Sequence, residues 1–203
     1  MREEQVREMQ TIFIADKTLE ELVSLFSCDI SDDQDFYDVL AYNIVVADPG
    51  YFHERLGLYS AARLQGAVFG LGCSSQRDER QREALRAFCR HEDPRVVARV
   101  IDALRDSERS DEWPGIGRLA SDASALVRGA VARFAAFALP PSEAFSFLTR
   151  ILDDPDAIVR ENAVDELGEL GDVQAVDFLR ALLRDPDEDV RVAAATAINN
   201  LGR

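Results

Sequence analysis

A unit of fixed length recurs along the second half of this chain. Residues 147–171 (FLTRILDDPDAIVRENAVDELGELG) align without a gap to residues 178–202 (FLRALLRDPDEDVRVAAATAINNLG) at an offset of 31. Phe147 answers Phe178, Leu152 answers Leu183, Asp154-Pro155 answers Asp185-Pro186, Val159-Arg160 answers Val190-Arg191, and Leu170-Gly171 answers Leu201-Gly202. A period of this length suits one supersecondary unit that cannot bury its apolar face alone, so successive units must stack on one another. A chain built this way works by presenting a surface of repeated positions. The pattern limits the kind of task without naming a partner.

Two fainter copies precede these. Residues 119–139 carry Asp122 and Val127-Arg128, and residues 93–104 carry Asp93-Pro94 and Arg99; in all four copies the aspartate precedes the arginine by six residues. Aspartate followed by proline predicts a helix start, because the carboxylate accepts from orphan backbone N–H groups and the fixed φ of proline suits the first turn. Leu-Gly is the matching stop signal. Between them Val159, Ala163, Leu167 and Leu170, and likewise Val190, Ala194, Ile198 and Leu201, fall on one helical face. Each unit therefore reads as helix, turn, helix, and the expected fold is all-α: an α-α superhelix, or solenoid of antiparallel hairpins, with a divergent N-terminal cap.

This pattern resembles the HEAT repeat, in particular the short bacterial HEAT-like units found in phycobilisome lyase subunits, over residues 142–203 and more faintly over 78–139. In that family the matching aspartate and arginine form a ladder between neighbouring units. The resemblance implies that Asp93, Asp122, Asp154 and Asp185 with Arg99, Arg128, Arg160 and Arg191 are structural ladder residues. A planar guanidinium can hold a carboxylate and a turn carbonyl together, which suits that role.

The first 75 residues do not follow the repeat and are expected to form a helical cap, continuous with about four hairpins over 76–203 as one elongated domain. Helices are expected over 16–27 and 35–47, with SDDQ (31–34) as a cap, a turn at Asp48-Pro49-Gly50, and a longer apolar helix from Arg55 to Gly72. Gly70-Leu71-Gly72 reads as small residues in helix packing or a helix end. All four tyrosines, Tyr37, Tyr42, Tyr51 and Tyr59, lie here. Tyrosine favours interfaces because it joins a large ring to a polar tip, which makes Tyr37 and Tyr42 candidates for partner contact.

Net charge is −15, distributed as −9 over residues 1–50, +3 over 51–100 and −9 over 101–203. Such a surface repels phosphate backbones and argues against nucleic-acid binding. The local exception is the stripe Arg82, Arg86 and Arg90 on one helix face, which offers a basic strip to an acidic partner or simply a solvated face paired with Glu79 and Glu83. No apolar run approaches the length of a membrane span, and the start MREEQVREMQ is unlike a signal peptide, so a cytoplasmic location is the default expectation. Lys17 is the only lysine. The arginine bias is what a high-GC bacterial genome produces. Cys28, Cys73 and Cys89 are scattered and read as thiols rather than a disulfide framework.

No catalytic template is present, and no cofactor is expected. His53-Glu54 and His91-Glu92 match in type the iron-binding His-Glu pairs of deoxyhypusine hydroxylase, a HEAT-repeat metalloenzyme. That family places them at equivalent helix starts, whereas here the two pairs occupy unlike positions, so neither is read as a metal site. The expected function is a noncatalytic adaptor or scaffold that presents a groove along successive second helices. Its lining is Glu161, Asp165 and Glu169 in the penultimate repeat and Val192, Thr196 and Asn200 in the last, which favours a basic protein or peptide. Two other readings stand beside it: an acidic inhibitor or immunity protein neutralising a basic enzyme such as a nuclease, and a lyase or metal-dependent hydroxylase subunit. Apolar residues spread around the last helix, VRVAAATAINNLG, also predict that the C-terminal hairpin is covered, by self-association or by a partner.

Overall fold

The computed structural model describes residues 16–28, 33–74 and 79–202. The acidic opening segment, Ser31-Asp32 of the expected cap, residues 75–78 with the expected boundary after residue 75, and Arg203 lie outside the described residues. All regular structure among the described residues is helical, in keeping with an all-α helical-repeat fold. The chain divides into two compact units, Met1–Ser107 and Glu108–Arg203.

The first unit contains α1 (Leu19–Ser27), α2 (Gln34–Ala47), α3 (Ala61–Cys73), α4 (Glu79–Phe88) and α5 (Pro94–Asp106). Thr18 starts α1 through a reciprocal capping box with Glu21. Helix α1 packs on α2, α2 on α3, α3 on α5, and α4 on α5. The expected helix from Arg55 begins only at Ala61, because residues 51–58 form turns and a 3-10 segment (Leu56–Leu58) that places Phe52 and Leu56 in the core. Phe52 and Tyr59 close around Phe26, and Tyr37 meets it from α2. Aromatic burial thus outweighs the apolar run as a helix signal.

In this unit α3 lies unusually close to its neighbours. A Cβ at Gly66 would sit 2.8 Å from Tyr37 Cβ, one at Gly70 would sit 2.8 Å from Ala41 Cβ, and one at Gly72 would sit 2.8 Å from Ala103. Glycine is required there for backbone approach.

The second unit contains α6 (Trp113–Ile116), a 3-10 segment (Gly117–Ser121), α7 (Ala125–Ala138), α8 (Pro141–Arg150), α9 (Ala157–Leu170), α10 (Ala175–Leu182) and α11 (Glu188–Leu201). Helices α7, α9 and α11 pack side by side in that order, with α8 against α7 and α9, and α10 against α11. Their starts at Ala125, Ala157 and Glu188 are 32 and 31 residues apart, while α2, α3 and α5 in the first unit start 27 and 33 residues apart. The buried stripe of α9 is Val159, Ala163 and Leu167, and that of α11 is Val190, Ala194 and Ala197. Gly171 ends α9 in the left-handed conformation at φ 72, whereas Gly202 follows α11 at φ −87.

The helix starts differ from expectation in a way that matters below. Asp154 and Asp185 do not cap α9 and α11. The caps are Asp156 and Asp187, two residues later, and Ser124 precedes α7. Asp154 and Asp185 instead accept from the backbone N–H of those caps, tightening the turn and leaving most of each carboxylate to other donors.

Candidate functional site

The turns of the second unit are joined by arginine. Arg128, the fourth residue of α7, donates from Nε and Nη2 to the two carboxylate oxygens of Asp154, both at 2.8 Å, and from Nη1 to the carbonyl of Asp122 at 2.8 Å. Arg160, the fourth residue of α9, repeats this with the Asp185 carboxylate at 2.8 Å twice and the Asp154 carbonyl at 2.8 Å. Each arginine therefore takes the carbonyl of its own turn and the carboxylate of the next. Arg191 holds the carbonyls of Asp185 and Pro186 at 2.8 and 3.0 Å. The Arg128 fork holds the Asp154 carboxyl below the usual carboxylate range, with a further contribution from the Asp156 N–H, and the Arg160 fork does the same for Asp185. Arg160 and Asp185 are both buried, so this pair fixes the angle between the last two hairpins rather than decorating the surface.

Asp93 and Arg99 do not form such a rung, which corrects the expected four-step ladder. Helix α5 starts immediately after Asp93, with Pro94 in its first turn and Asp93 as N-cap, and the Asp93 carboxylate is gripped by Arg95. Arg99 is consequently the sixth residue of its helix instead of the fourth, a rotation of about 200°. It lies over the Phe69 ring of α3, 5.5 Å from its centroid, and pairs with Asp38 of α2 at 3.0 Å. Burial pushes the Asp38 carboxyl above the usual range despite the opposing pull of Arg99.

Of the six candidate groove residues, Asp165, Glu169, Thr196 and Asn200 come together between α9 and α11, while Glu161 and Val192 lie outside the cleft lining. A cleft of about 350 Å³ is lined by Asp165, Gly168, Glu169, Thr196, Ala197 and Asn200. Its floor is narrow because Gly168 faces Ala197, where a Cβ would stand 3.0 Å from the alanine Cβ. Thr196 donates its hydroxyl to the Val192 carbonyl at 2.9 Å. Desolvation, with Glu169 as a second cause, raises the Asp165 carboxyl above the usual range even though its side chain reaches solvent. Glu161, one turn earlier on α9, is raised by desolvation and then by Asp165, Asp189 and Asp187. Clustered carboxylates that resist ionisation attract cationic groups, whose approach relieves their mutual repulsion.

The reading from sequence missed the row on α7. At the 32-residue spacing of the α7 and α9 starts, Gly129, Arg133 and Phe137 stand where α9 has Glu161, Asp165 and Glu169. Arg133 donates from Nη1 to the Asn162 side-chain oxygen at 2.6 Å, and Phe137 is exposed. The face thus changes across three helices from arginine and phenylalanine, through carboxylates, to valine, threonine and asparagine. The 32-residue correspondence of Asp122 with Asp154 and of Arg128 with Arg160 was the signal that would have located it.

Other candidates lie apart. Tyr37 is fully buried, with its hydroxyl donating to the Cys28 carbonyl at 3.0 Å, which corrects its assignment to partner contact. Tyr42 is exposed on α2. On α4, Arg82 pairs with Glu79 at 2.5 Å, Arg86 is exposed, and Arg90 is exposed just beyond the helix. His91 accepts the Asp93 N–H at its Nδ1 and stacks on Phe88, which makes it part of a turn. Among the described residues no group of three or more His, Cys, Asp and Glu side chains could hold a metal ion, and no helix is long and apolar enough to cross a membrane. On α11, Val190, Ala193, Ala194 and Ala197 are buried against the unit while Val192 and Ala195 are exposed, so apolar residues occupy both the inner and the outer face of the helix.

Repeated second helices in register, joined turn to turn, define a helical-repeat protein. More specifically, residues 114–199 match the family model described as HEAT repeats, and that resemblance is carried by the stretch where the rungs occur. An engineered protein superposes with TM-score 0.55 at 16% identity, covering 91% of this chain and 96% of its own. A designed armadillo repeat protein in complex with the peptide (KR)4 gives TM-score 0.54 at 16% identity, covering 91% and 100%. The complex of CpcE and CpcF of phycocyanin lyase from Nostoc sp. PCC7120 gives 0.54 at 16% identity, covering 90% and 82%. At these identities the likeness establishes the fold alone. No curated protein sequence matches this chain.

Proposed function

We propose that this chain is a noncatalytic HEAT-repeat binding module and that its α9–α11 cleft takes a basic segment of a protein or peptide partner. The observation that carries this reading is the row Glu161, Asp165 and Glu169 beside a cleft whose other lining is neutral, with two of the three carboxyls raised by desolvation and by acidic neighbours. A guanidinium or ammonium group entering such a row gains charge-assisted hydrogen bonds and removes the repulsion. The cleft offers no activated nucleophile, since the Thr196 hydroxyl is committed to a backbone carbonyl and its remaining polar groups are carboxylates and an amide. A repeat protein of similar fold is complexed with the basic peptide (KR)4, which supports the same partner class. The net charge of −15 also favours the reading as an acidic inhibitor of a basic enzyme.

The experiment is fluorescence anisotropy with labelled (KR)4 as probe. Wild-type chain should bind with strong salt dependence, and a Glu161→Gln/Asp165→Asn/Glu169→Gln variant with unchanged helicity should bind at least about tenfold more weakly. Equal binding by the variant would remove the acidic row from the mechanism. Inhibition of one basic enzyme, abolished by the same substitutions, would select the inhibitor reading.

A further inference from the structure

The two rows that carry the cleft residues continue onto a third helix. Glu169 and Asn200 occupy equivalent positions on α9 and α11, and the same position on α7 is Phe137; Asp165 and Thr196 are answered there by Arg133. Helices α7 and α9 pack side by side, so the α7 residues stand one helix spacing, about 8–10 Å, from the acidic row. Neither of them lines the cleft. A segment that crosses from the cleft towards α7 therefore meets a ring where the carboxylates end.

That ring is anchored. Phe137 is 39% exposed, and it meets the fully buried Phe134 edge-to-face at 6.0 Å. Phe134 in turn stacks on Trp113 at 6.3 Å with an interplanar angle of 9°. An exposed aromatic side chain held by buried rings loses little freedom when a second apolar side chain covers it. The charge beside it is fixed as well. Arg133, one turn back on α7, donates to Asn162 Oδ1 at 2.6 Å, and Asn162 Nδ2 donates to the Ile158 carbonyl at 2.6 Å. A second cation over Phe137 would lie near that guanidinium, whereas a neutral side chain would not be repelled by it.

We propose that Phe137 is a specificity-determining contact of the acidic cleft, which reads an apolar side chain of the same partner segment about three residues from the basic residue seated on Asp165 and Glu169. This rests on the cleft being a site for a basic segment. In the polyproline II conformation residues three apart lie on one side of the chain and about 9 Å apart, which matches the distance between neighbouring helices. In a β-strand they would point to opposite sides. The partner signature is thus a basic residue and an apolar one separated by two others, in either chain direction. Arg133 selects against a cation at the second position.

The probes are labelled (KR)4 peptides extended by Gly-Gly-Leu, Gly-Gly-Gly or Gly-Gly-Arg, with Leu-Gly-Gly-(RK)4 and Gly-Gly-Gly-(RK)4 as the reversed pair, titrated by fluorescence anisotropy with the full chain. In one of the two orders the leucine peptide should bind at least about fivefold more tightly than its glycine control. Five glycines in place of two before the leucine should reduce that gain. Phe137→Ala should abolish the gain while binding (KR)4 itself as the wild-type chain does, which also shows that the variant is folded. The Gly-Gly-Arg peptide should respond to Phe137→Ala by less than about twofold. No gain from leucine in either order, a gain indifferent to spacer length, or a gain that persists in Phe137→Ala overturns the proposal and leaves the cleft reading standing. An arginine peptide as sensitive to Phe137→Ala as the leucine peptide assigns the ring to a cation and overturns it too. Failure of every peptide to bind, (KR)4 included, overturns both.

Discussion

In the first unit α3 lies so near α2 and α5 that any side chain at Gly66, Gly70 or Gly72 would meet Tyr37, Ala41 or Ala103 at 2.8 Å, and Asp93 is held by Arg95 of its own turn instead of by a rung from a neighbouring hairpin. In the second unit the spaces at Gly129 and Gly168 are wider, with neighbours at 3.1 and 3.0 Å that are side-chain atoms, and bidentate rungs join successive turns. Neighbouring second helices can thus be held in register either by backbone approach or by charged pairs at the turns. The first is specified by what is missing from a side chain, the second by what a side chain reaches. The largest effect is expected where approach is closest. Gly70→Leu must push against Ala41 backbone atoms only 3.1 Å from the position of its Cβ, and should cost more than about 3 kcal/mol in urea denaturation. A loss under about 1 kcal/mol would mean that helix spacing in the first unit is set by other contacts.

The second unit is expected to respond to a different kind of change. Arg160→Ala leaves the buried Asp185 carboxylate without its fork and should cost about 2–4 kcal/mol, lowering Tm by roughly 5–10 °C. A double-mutant cycle sharpens the point. Arg160 should couple to the Asp185 side chain by about 1–3 kcal/mol, and far less to that of Asp154, of which it uses only the carbonyl. Strong coupling to Asp154 would contradict the rung geometry.

Lowering the pH should act in opposite directions on the Asp154 and Asp185 rungs and on Asp38. Asp154 and Asp185 are held below the usual range by Arg128 and Arg160, so near and below a pH of about 4 the unfolded chain binds more protons at these groups than the folded one. Their stabilisation is complete above that point and lost as pH falls through their folded values. Asp38 is raised by burial, so the folded state takes its proton first and its penalty is relieved as pH falls from neutral. Trp113, the only tryptophan, packs on Phe134 and Phe147 and reports on the second unit. Denaturation followed by tryptophan fluorescence should show a loss of stability between pH 5 and 3 of about 1–3 kcal/mol. Asp38→Asn should leave that transition unchanged and should flatten the pH dependence of hydrogen exchange in α2. An acid loss of stability that survives unchanged in an Asp154→Asn/Asp185→Asn variant would sink the distinction.

Much of the second unit was legible because its signals are local and repeated. The gapless offset placed α9 and α11, and Val159, Ala163 and Leu167 identified the buried face. The cleft residues Asp165, Glu169, Thr196 and Asn200 followed from the same register. The Asp-to-Arg spacing of six was a poorer guide, because it occurs in all four copies while only three share a helix start. The deciding residue stands two positions after the aspartate: Ser124, Asp156 and Asp187 can precede a helix as its cap and leave the first aspartate to the neighbouring arginine, whereas Arg95 cannot. In the first unit the folding information is nonlocal. Tyr37 is core because Gly66 of another helix lies on it, and Arg55 to Tyr59 form turns because Phe52 and Tyr59 are drawn to Phe26. No window of sequence around those residues contains their partners.

The smallest expected effect follows from that same spacing. Arg99 answers Arg160 in sequence, but its pair with Asp38 lies partly open, with side-chain exposures of 27% and 14%, and part of its contact is with the Phe69 ring. Exposed pairs and arginine–ring contacts each contribute about 0.5–1 kcal/mol, so Arg99→Ala should cost about 1 kcal/mol at neutral pH, well under the loss at Arg160. The cost should also shrink with acidification. Without Arg99 the half-buried Asp38 carboxylate loses its opposing charge, and protonation, which burial already favours, removes the need for one. Urea denaturation of Arg99→Ala at neutral pH and near pH 4 tests both statements. A cost as large as that of Arg160→Ala, undiminished at low pH, would show that the first unit depends on a rung after all, formed by Arg99 with a partner other than Asp38.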